Sequence, residues 1–448
     1  RRPTRSTLFP YTTLFRSEPR PQPKPLPEPD DPAAPEKDLV AYWSFDAIDG
    51  DAIASDFGGV KAKAVHGVKP VPGRIGGAIY LNGASQFLEL SGFYSFPRER
   101  TPRTISLWAR ADPAATGDRQ AVAFGKDSIG AAFYIGRHSR TLRAGAYYSD
   151  LDVDDFWTDG EWRHICLTYD GQVVRLYGDG TCRATMVACW PLNPTVAVIG
   201  RNVEPGSQTW IGSIDEVRIY RRALDPAEVW TQAGRTGEPP AFEDLYANLP
   251  ERKLLAHWTF DEIRDGKFTD ASGNGMDAVA NGCAVLQGVV GGCASFDGED
   301  DCAQAPEGFD DFRGGMTIAY FVYPENAVRY ARLLDFCNGV EKNSIIISRQ
   351  DGNSFGAMTI IFSPSIYQKT NAPDSFAMNR WTHVAYVMDG KGEAFVYVDG
   401  KQDRRDGATM PEPVRRTMNY IGRNVAGKDW FKGRIDDLRI YNHALTEA

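Results

Sequence analysis

The chain has 448 residues, 42 % hydrophobic and 24 % charged, with a formal net charge of −9 at pH 7. That composition belongs to a globular chain long enough for two or three domains. The acidic balance excludes nucleic acid as a partner, since phosphate binding needs a basic surface. No apolar run approaches the roughly 20 residues of a membrane helix, so no membrane insertion is expected within the chain.

Aromatic residues at 12 %, 44 glycines and 28 prolines favour short strands joined by tight turns. The seven cysteines include no CxxC pair, which argues against a zinc site. Their odd number leaves at least one thiol outside any internal bridge.

In chain order, residues 7–17 read TLFPYTTLFRS, which matches a translated frame of a common sequencing adapter. Residues 1–17 are therefore set aside as an artefact. Residues 18–38 are rich in proline and charge and have almost no apolar side chains. They cannot build a core, and they are expected to be a disordered, extended tether.

From residue 39 onward the chain repeats itself. Val40-Ala41-Tyr42-Trp43-Ser44-Phe45-Asp46 returns as Leu255-Ala256-His257-Trp258-Thr259-Phe260-Asp261. Trp162-Arg163-His164 returns as Trp381-Thr382-His383, and Gly200-Arg201-Asn202-Val203 as Gly422-Arg423-Asn424-Val425. The closing Ile214-Asp215-Glu216-Val217-Arg218-Ile219-Tyr220 returns as Ile435-Asp436-Asp437-Leu438-Arg439-Ile440-Tyr441. A period of about 220 residues in constant order means one duplicated domain.

Between the matches lie strands. Residues 165–169 and 173–177 flank Asp170-Gly171, and 384–387 and 394–398 flank Asp389-Gly390. Each pair reads as a hairpin with Asp-Gly at the turn. Second turns follow at Asp179-Gly180 and Asp399-Gly400. Strands with turns this close predict an all-β sandwich.

One helix is signalled. Asp225 at the N-cap, Pro226 at the first helical position and Glu228 at the third open a helix to about Arg235. The expected organisation is a first sandwich over 39–224, a helix and linker over 225–252, and a second sandwich over 253–448. The second copy stops where its own helix should begin, so truncation at both ends is expected.

The opening W-x-F-D, the central W-x-H, the D-G hairpins and the closing G-x-I-D-E-V-R-I-Y-x-x-A-L resemble the LamG-like jelly-roll domains of bacterial surface proteins. The resemblance implies all-β architecture: two tandem concanavalin A-like jelly-roll β-sandwiches, with a short helix after the first. It also implies a secreted or surface setting. Such domains include lectins, adhesion modules and glucanases, so fold does not decide ligand. The expected function is non-catalytic recognition of a glycan or an extracellular protein. The rivals are a glycan-degrading enzyme or its accessory module, and a structural spacer. Laminarinase-like relatives carry E-x-D-x-(x)-E on a strand, and no such run occurs here. The nearest acidic stretch, residues 150–155, reads as a loop of solvated aspartates. His164 and His383 read as structural.

The resemblance also implies a structural calcium where the first and last strands meet. Candidate ligands are Asp261, Asp270, Asn274 and Asp436 in the second copy, and Asp46 and Asp215 in the first. The alternative for Asp215 and Asp436 is turn capping. Sugar stacking needs exposed aromatics. Trp43, Trp162 and Trp210 recur as Trp258, Trp381 and Trp430, which indicates packing. Trp230 is expected to dock the helix. Trp190, Tyr147, Tyr148 and Tyr367 remain as loop aromatics able to touch a ligand. Finally, Cys283 and Cys293 end two consecutive predicted strands around Gln287-Gly288, and a disulfide between them is expected.

Overall fold

The computed structural model describes residues 36–445 apart from 49, 129, 148, 159, 207, 243–245, 247, 326–327, 350–356, 364–365 and 373–376. The adapter translation and almost all of the tether lie outside the described residues. The chain divides into two compact units, with the boundary between residues 245 and 246.

Each unit is a jelly-roll sandwich of two eight-stranded sheets. In the first unit one sheet runs, in spatial order, Thr181–Val187, Val173–Gly178, Arg163–Tyr169, Arg103–Ala111, Ile211–Tyr220, Gly77–Asn82 and Lys69–Pro72. The opening strand Leu39–Trp43 also pairs with the closing strand Ile211–Tyr220. The second sheet runs Asp150–Val153, Thr141–Gly145, Ala132–His138, Asp118–Gly125, Val196–Ile199, Phe87–Ser91, Lys61–Val65 and Ala52–Ala54.

The second unit repeats both orders strand for strand, around its own opening strand Leu254–Trp258 and closing strand Lys432–Tyr441. Opening and closing strands lie side by side in both units, so each sandwich clasps its own two ends.

Period-two alternation builds the cores. Ile105, Leu107 and Ala109 face inward opposite Leu167, Ile165 and Arg163, and the first two pairs are fully buried. Trp43 and Trp210 in the first unit and Trp258 in the second are fully buried. Burying each such side chain stabilises by roughly 2–3 kcal/mol. The packing reading is right for these three indoles. Trp162, Trp381 and Trp430 instead stay half-exposed.

The hairpins form as the Asp-Gly pairs dictate. Asp179 and Gly180 have φ of 52° and 87°, and Asp399 and Gly400 have φ of 47° and 77°. Two successive left-handed residues are what a two-residue hairpin loop needs. Asp170 works differently: its carboxylate accepts from the Gln172 and Val173 amides at 3.0 and 2.7 Å.

Both closing strands carry a bulge. Glu216 (φ 55°) and Asp437 (φ 52°) are left-handed, and there the pairing register with the neighbouring strand shifts. The bulge turns successive carboxylates to different partners. Asp215 reaches the hairpin turn at residues 72–77. Glu216 accepts from Tyr42 Oη at 2.8 Å and Arg218 at 2.6 Å.

The helix spans Pro226–Gln232 with the full capping box between Asp225 and Glu228. It stops short of Arg235 because Gly234 turns left-handed at φ 69°. Val229, not Trp230, is its buried docking residue, packed with Cys166, Tyr177, Cys182 and Tyr220 on the outer face of the sheet. Trp230 is half-exposed, and a Cβ on Gly180 would lie 3.0 Å from its ring.

The expected disulfide is corrected. All seven cysteines are free thiols. Ala284 pairs with Ser295 and Leu286 with Cys293, so the register carries Cys283 towards Phe296. At about 3.3 Å per residue, Cys283 and Cys293 lie about 10 Å apart along the ladder. That exceeds the roughly 7 Å limit between bridged Cα atoms.

Candidate functional site

The structure divides the expected calcium ligands between two places. Asp436 accepts from the Val289 and Val290 amides at 2.8 and 2.9 Å, and Asp261 accepts from the Gly292 amide at 2.7 Å. Both hold one hairpin turn. In the first unit Asp215 accepts from Arg74 and Ile75 at 2.7 and 3.0 Å, and Asp46 accepts from Gly77 at 2.6 Å. The turn leaves so little room that a Cβ on Gly76 would overlap the Asp46 carboxylate, and one on Gly73 would lie 2.7 Å from that of Asp215. Desolvation pushes Asp215 up to about 6.

Asp270 and Asn274 belong to a different loop. Asp270 accepts from the His257, Ser272, Asn274 and Met276 amides and from Ser272 Oγ. Asn274 donates to the Leu254 and Leu255 carbonyls at 2.7 and 3.1 Å. The four residues as placed do not fit one cation site. Among the described residues, the acidic groups that converge within 4.8 Å are Asp297, Asp300 and Asp301. Asp297 there accepts from the amides of Glu299, Asp300 and Asp301, closing its own turn.

The expected ligand-facing aromatics are also relocated. Trp190 is 1 % exposed, its Nε1 donates to Ser149 Oγ at 2.9 Å, and its ring packs on Phe133 and Tyr169. It is a core residue with no face left for a sugar, which corrects the loop reading. Tyr147 is half-buried in the left-handed region. Tyr148 and the Tyr367 side chain lie outside the described residues; Tyr367 falls on strand Ile366–Ala372.

The acidic stretch at 150–155 is corrected too. Asp150–Val153 is an edge strand, not a loop. Arg143 grips Asp152 through two bonds of 2.8 Å, reaches Asp118 at 3.0 Å and stands 3.9 Å from Asp150. Tyr134 donates to Asp150, whose burial raises it to about 6. A carboxyl raised by burial beside a second carboxylate invites an acid–base reading. Here, however, the Arg143 guanidinium bridges Asp150 and Asp152, where a glycosidic oxygen would have to enter. Ser106 and His164 likewise meet at 3.0 Å, yet each is 1 % exposed and burial drives His164 down to about 3. The pair is structural: Ser106 donates onward to Gln232 of the helix at 2.6 Å.

A cleft that the sequence analysis did not single out lies on the outer face of the first unit's sheet. It encloses about 360 Å³ between Arg74, Trp108, Glu161, Trp162, Arg163, Asp179 and residues 233–235. Three elements position it. The capped turn at 72–77 brings Arg74 over the Trp108 ring, with its Cζ 4.8 Å from the centroid. The adjacent strands bring Trp108 edge-on to His164 at 5.4 Å, and Arg110 to within 5.7 Å of the Trp162 ring centre. The left-handed end of the helix supplies Arg235. Asp179 holds Arg163 at 2.8 Å while accepting from the His164 amide at 3.2 Å. Trp162 is half-exposed, unlike the fully buried indoles. The arrangement offers a π face, fixed guanidinium donors and carboxylate acceptors in one concavity, the ingredients of polar-ligand recognition.

The signal available in the sequence was divergence between the copies. At matched positions Arg74 becomes Val289, Trp108 becomes Phe321, Arg110 becomes Tyr323 and Arg163 becomes Thr382.

No curated protein matches the chain. Among solved structures, domain 4 of AbnA, an extracellular arabinanase from Geobacillus stearothermophilus, in complex with arabinotriose, is 24 % identical. The match covers 44 % of this chain and 96 % of that one, at a TM-score of 0.35. The binding domain of Paraclostridial mosquitocidal protein 1 is 14 % identical over 80 % of this chain and 91 % of its own, at 0.36. Mouse laminin α1 domains LG4-5 are 14 % identical over 84 % and 93 %, at 0.28. The family model matches both repeats, at residues 82–230 and 297–448. This chain therefore belongs to the concanavalin A-like lectin/glucanases superfamily, as a protein with two tandem LamG-like domains.

Proposed function

We propose that the chain is a non-catalytic recognition module that binds carbohydrate at the Trp108–Trp162 cleft of its first unit. We place it in a secreted or surface-attached bacterial protein. The observation that carries the reading is a half-exposed indole set in a concavity among guanidinium and carboxylate groups. The C–H face of a pyranose stacks on such a ring, while its hydroxyls need planar donors and acceptors beside it. The bridging Arg143 and the burial of Ser106 and His164 weigh against chemistry at the other polar clusters.

The test is binding of the full chain to a glycan panel, followed by calorimetry on the best ligand. Trp162→Ala should weaken binding at least tenfold, about 1.4 kcal/mol, while Trp381→Ala in the second unit leaves it unchanged. Binding to no glycan would favour an extracellular protein ligand or a spacer. Release of reducing ends would make the chain an enzyme.

A further inference from the structure

We infer that the cleft selects anionic glycans, binding a carboxylate or sulfate group through its arginines. The inference rests on the proposed carbohydrate binding and adds the charge of the ligand. The chain as a whole carries −9, yet the cleft runs against that balance. Its lining holds three guanidinium groups, Arg74, Arg163 and Arg235, and two carboxylates, Glu161 and Asp179. One of the three, Arg163, is held by Asp179 at 2.8 Å. Arg110, outside the lining but close to the Trp162 ring, adds a fourth positive charge at the rim.

Arg74 is held in place from both ends. Its backbone amide is bonded to Asp215, and its guanidinium carbon lies over the Trp108 ring, 4.8 Å from the centroid. Arg74 is exposed, so its N–H donors are within reach of a ligand. A guanidinium resting on a ring loses little freedom on meeting a carboxylate or sulfate, the oxyanions whose geometry it matches. A neutral sugar would leave that surplus charge unmatched.

The second unit lacks the device. Val289, Phe321, Tyr323 and Thr382 stand at the matching positions, and Val289 is 42 % exposed. The turn beneath Val289 is capped by Asp436 as the turn beneath Arg74 is capped by Asp215. The scaffold is thus shared, and the arginine on the capped turn is particular to the first unit.

The experiment measures binding of the full chain by calorimetry to three oligosaccharide probes: an oligogalacturonate (carboxylate), a chondroitin sulfate oligosaccharide (sulfate and carboxylate) and a neutral xylo-oligosaccharide. The inference expects at least one acidic probe to bind tenfold or more tighter than the neutral one. The preference should fall at least fivefold between 50 and 500 mM salt, because exposed charges are screened. Arg74→Ala and Arg235→Ala should each remove most of it, and Arg74→Lys should restore part. Which acidic probe binds tighter identifies the oxyanion. Equal binding of neutral and acidic probes, abolished by Trp162→Ala and untouched by Arg74→Ala, would overturn the charge inference and keep carbohydrate binding. An acidic preference that survives both arginine variants would also overturn it. No binding of any probe would overturn both.

Discussion

The two units share strand order, turn caps and bulges, yet they differ where the outer sheet face meets the capped turn. In the first, Arg74 lies on Trp108 and Arg110 beside Trp162. In the second, Tyr323 packs on Trp381 at 5.5 Å, Arg434 covers Tyr323 at 5.0 Å, and Arg380 replaces Arg163 as the partner of the hairpin aspartate, at 3.0 Å from Asp399. Duplication preserved what the fold needs and let the surface diverge. A residue common to both copies can serve the fold in each, and an exposed polar residue peculiar to one copy, such as Arg74, is a candidate for function.

The largest effect should come from the shared turn caps. Asp215→Ala strips the acceptor from the Arg74 and Ile75 amides, and Asp436→Ala strips it from Val289 and Val290. Each leaves two backbone donors unsatisfied in a tight turn, a cost of about 2–3 kcal/mol. Denaturant unfolding should show similar losses for both. Only Asp215→Ala should also impair ligand binding, by releasing Arg74. A small loss in either variant would break the claim that the caps are architectural.

Next in size is a pH effect. His164 is buried and neutral, pushed down to about 3 from 6.5. Its contribution is present above pH 6.5 and is lost as pH falls towards 3, because the unfolded chain takes the proton first. Between pH 7 and 5 that loss is about 2 kcal/mol. His383 is shifted in the same direction, again by burial first. Asp150 and Asp215, raised to about 6 by burial, act oppositely: their contribution is present below 3.8 and lost as pH rises through 6. The natural chain should show a partly cancelled slope. His164→Gln should lose less stability than the natural chain when pH is lowered from 7 to 5. An unchanged slope would show that His164 is already charged in the fold.

Much of this architecture is legible in the sequence because local chemistry carries it. Asp-Gly pairs write their own turns, Asp225 and Glu228 write a helix start, and period-two alternation writes strands. The repeat then supplies topology. The cleft was not legible because residues 74, 108, 162 and 235 meet only through the sheet, and an exposed arginine leaves no periodic trace. Trp162 and Trp43 both recur, and recurrence alone cannot distinguish a half-exposed ring from a buried one. Carboxylates at strand ends suit a cation site and a turn cap alike. Only the amide donors around them, seen in the fold, show which turns they hold. Trp190 misled for a related reason: it has no counterpart in the second copy, yet it fills a core position particular to the first unit.

A smaller effect tests how alike the cores are. Trp43 and Trp258 are equivalent and fully buried. Trp258 Nε1 donates to the Met276 carbonyl at 2.7 Å, whereas Trp43 Nε1 has no acceptor among the described residues. Replacing each by Phe removes similar volume, but only Trp258→Phe also removes a hydrogen bond. Trp258→Phe should therefore cost about 1 kcal/mol more than Trp43→Phe. Equal costs in chemical denaturation would mean that Trp43 finds a partner, such as a buried water.

The smallest expected effect is none. Reductant should leave the melting temperature of the chain unchanged, and alkylation after unfolding without reductant should modify all seven thiols. The argument is one of register. In the first unit Val71 faces Ala78 across the hairpin; in the second, Leu286 faces Cys293. The two hairpins are in the same register, so Cys283 occupies the place of Val68, three steps along the ladder from the partner position of Cys293. An odd offset also sends the two side chains to opposite faces of the sheet. Burial raises both thiols, Cys283 to about 12 and Cys293 to about 11, so neither is a ready thiolate for exchange. A bridged 283–293 peptide found by mass spectrometry without reduction would require the second hairpin to slip. Such a slip would end the strand-for-strand equivalence of the two units on which the comparison rests.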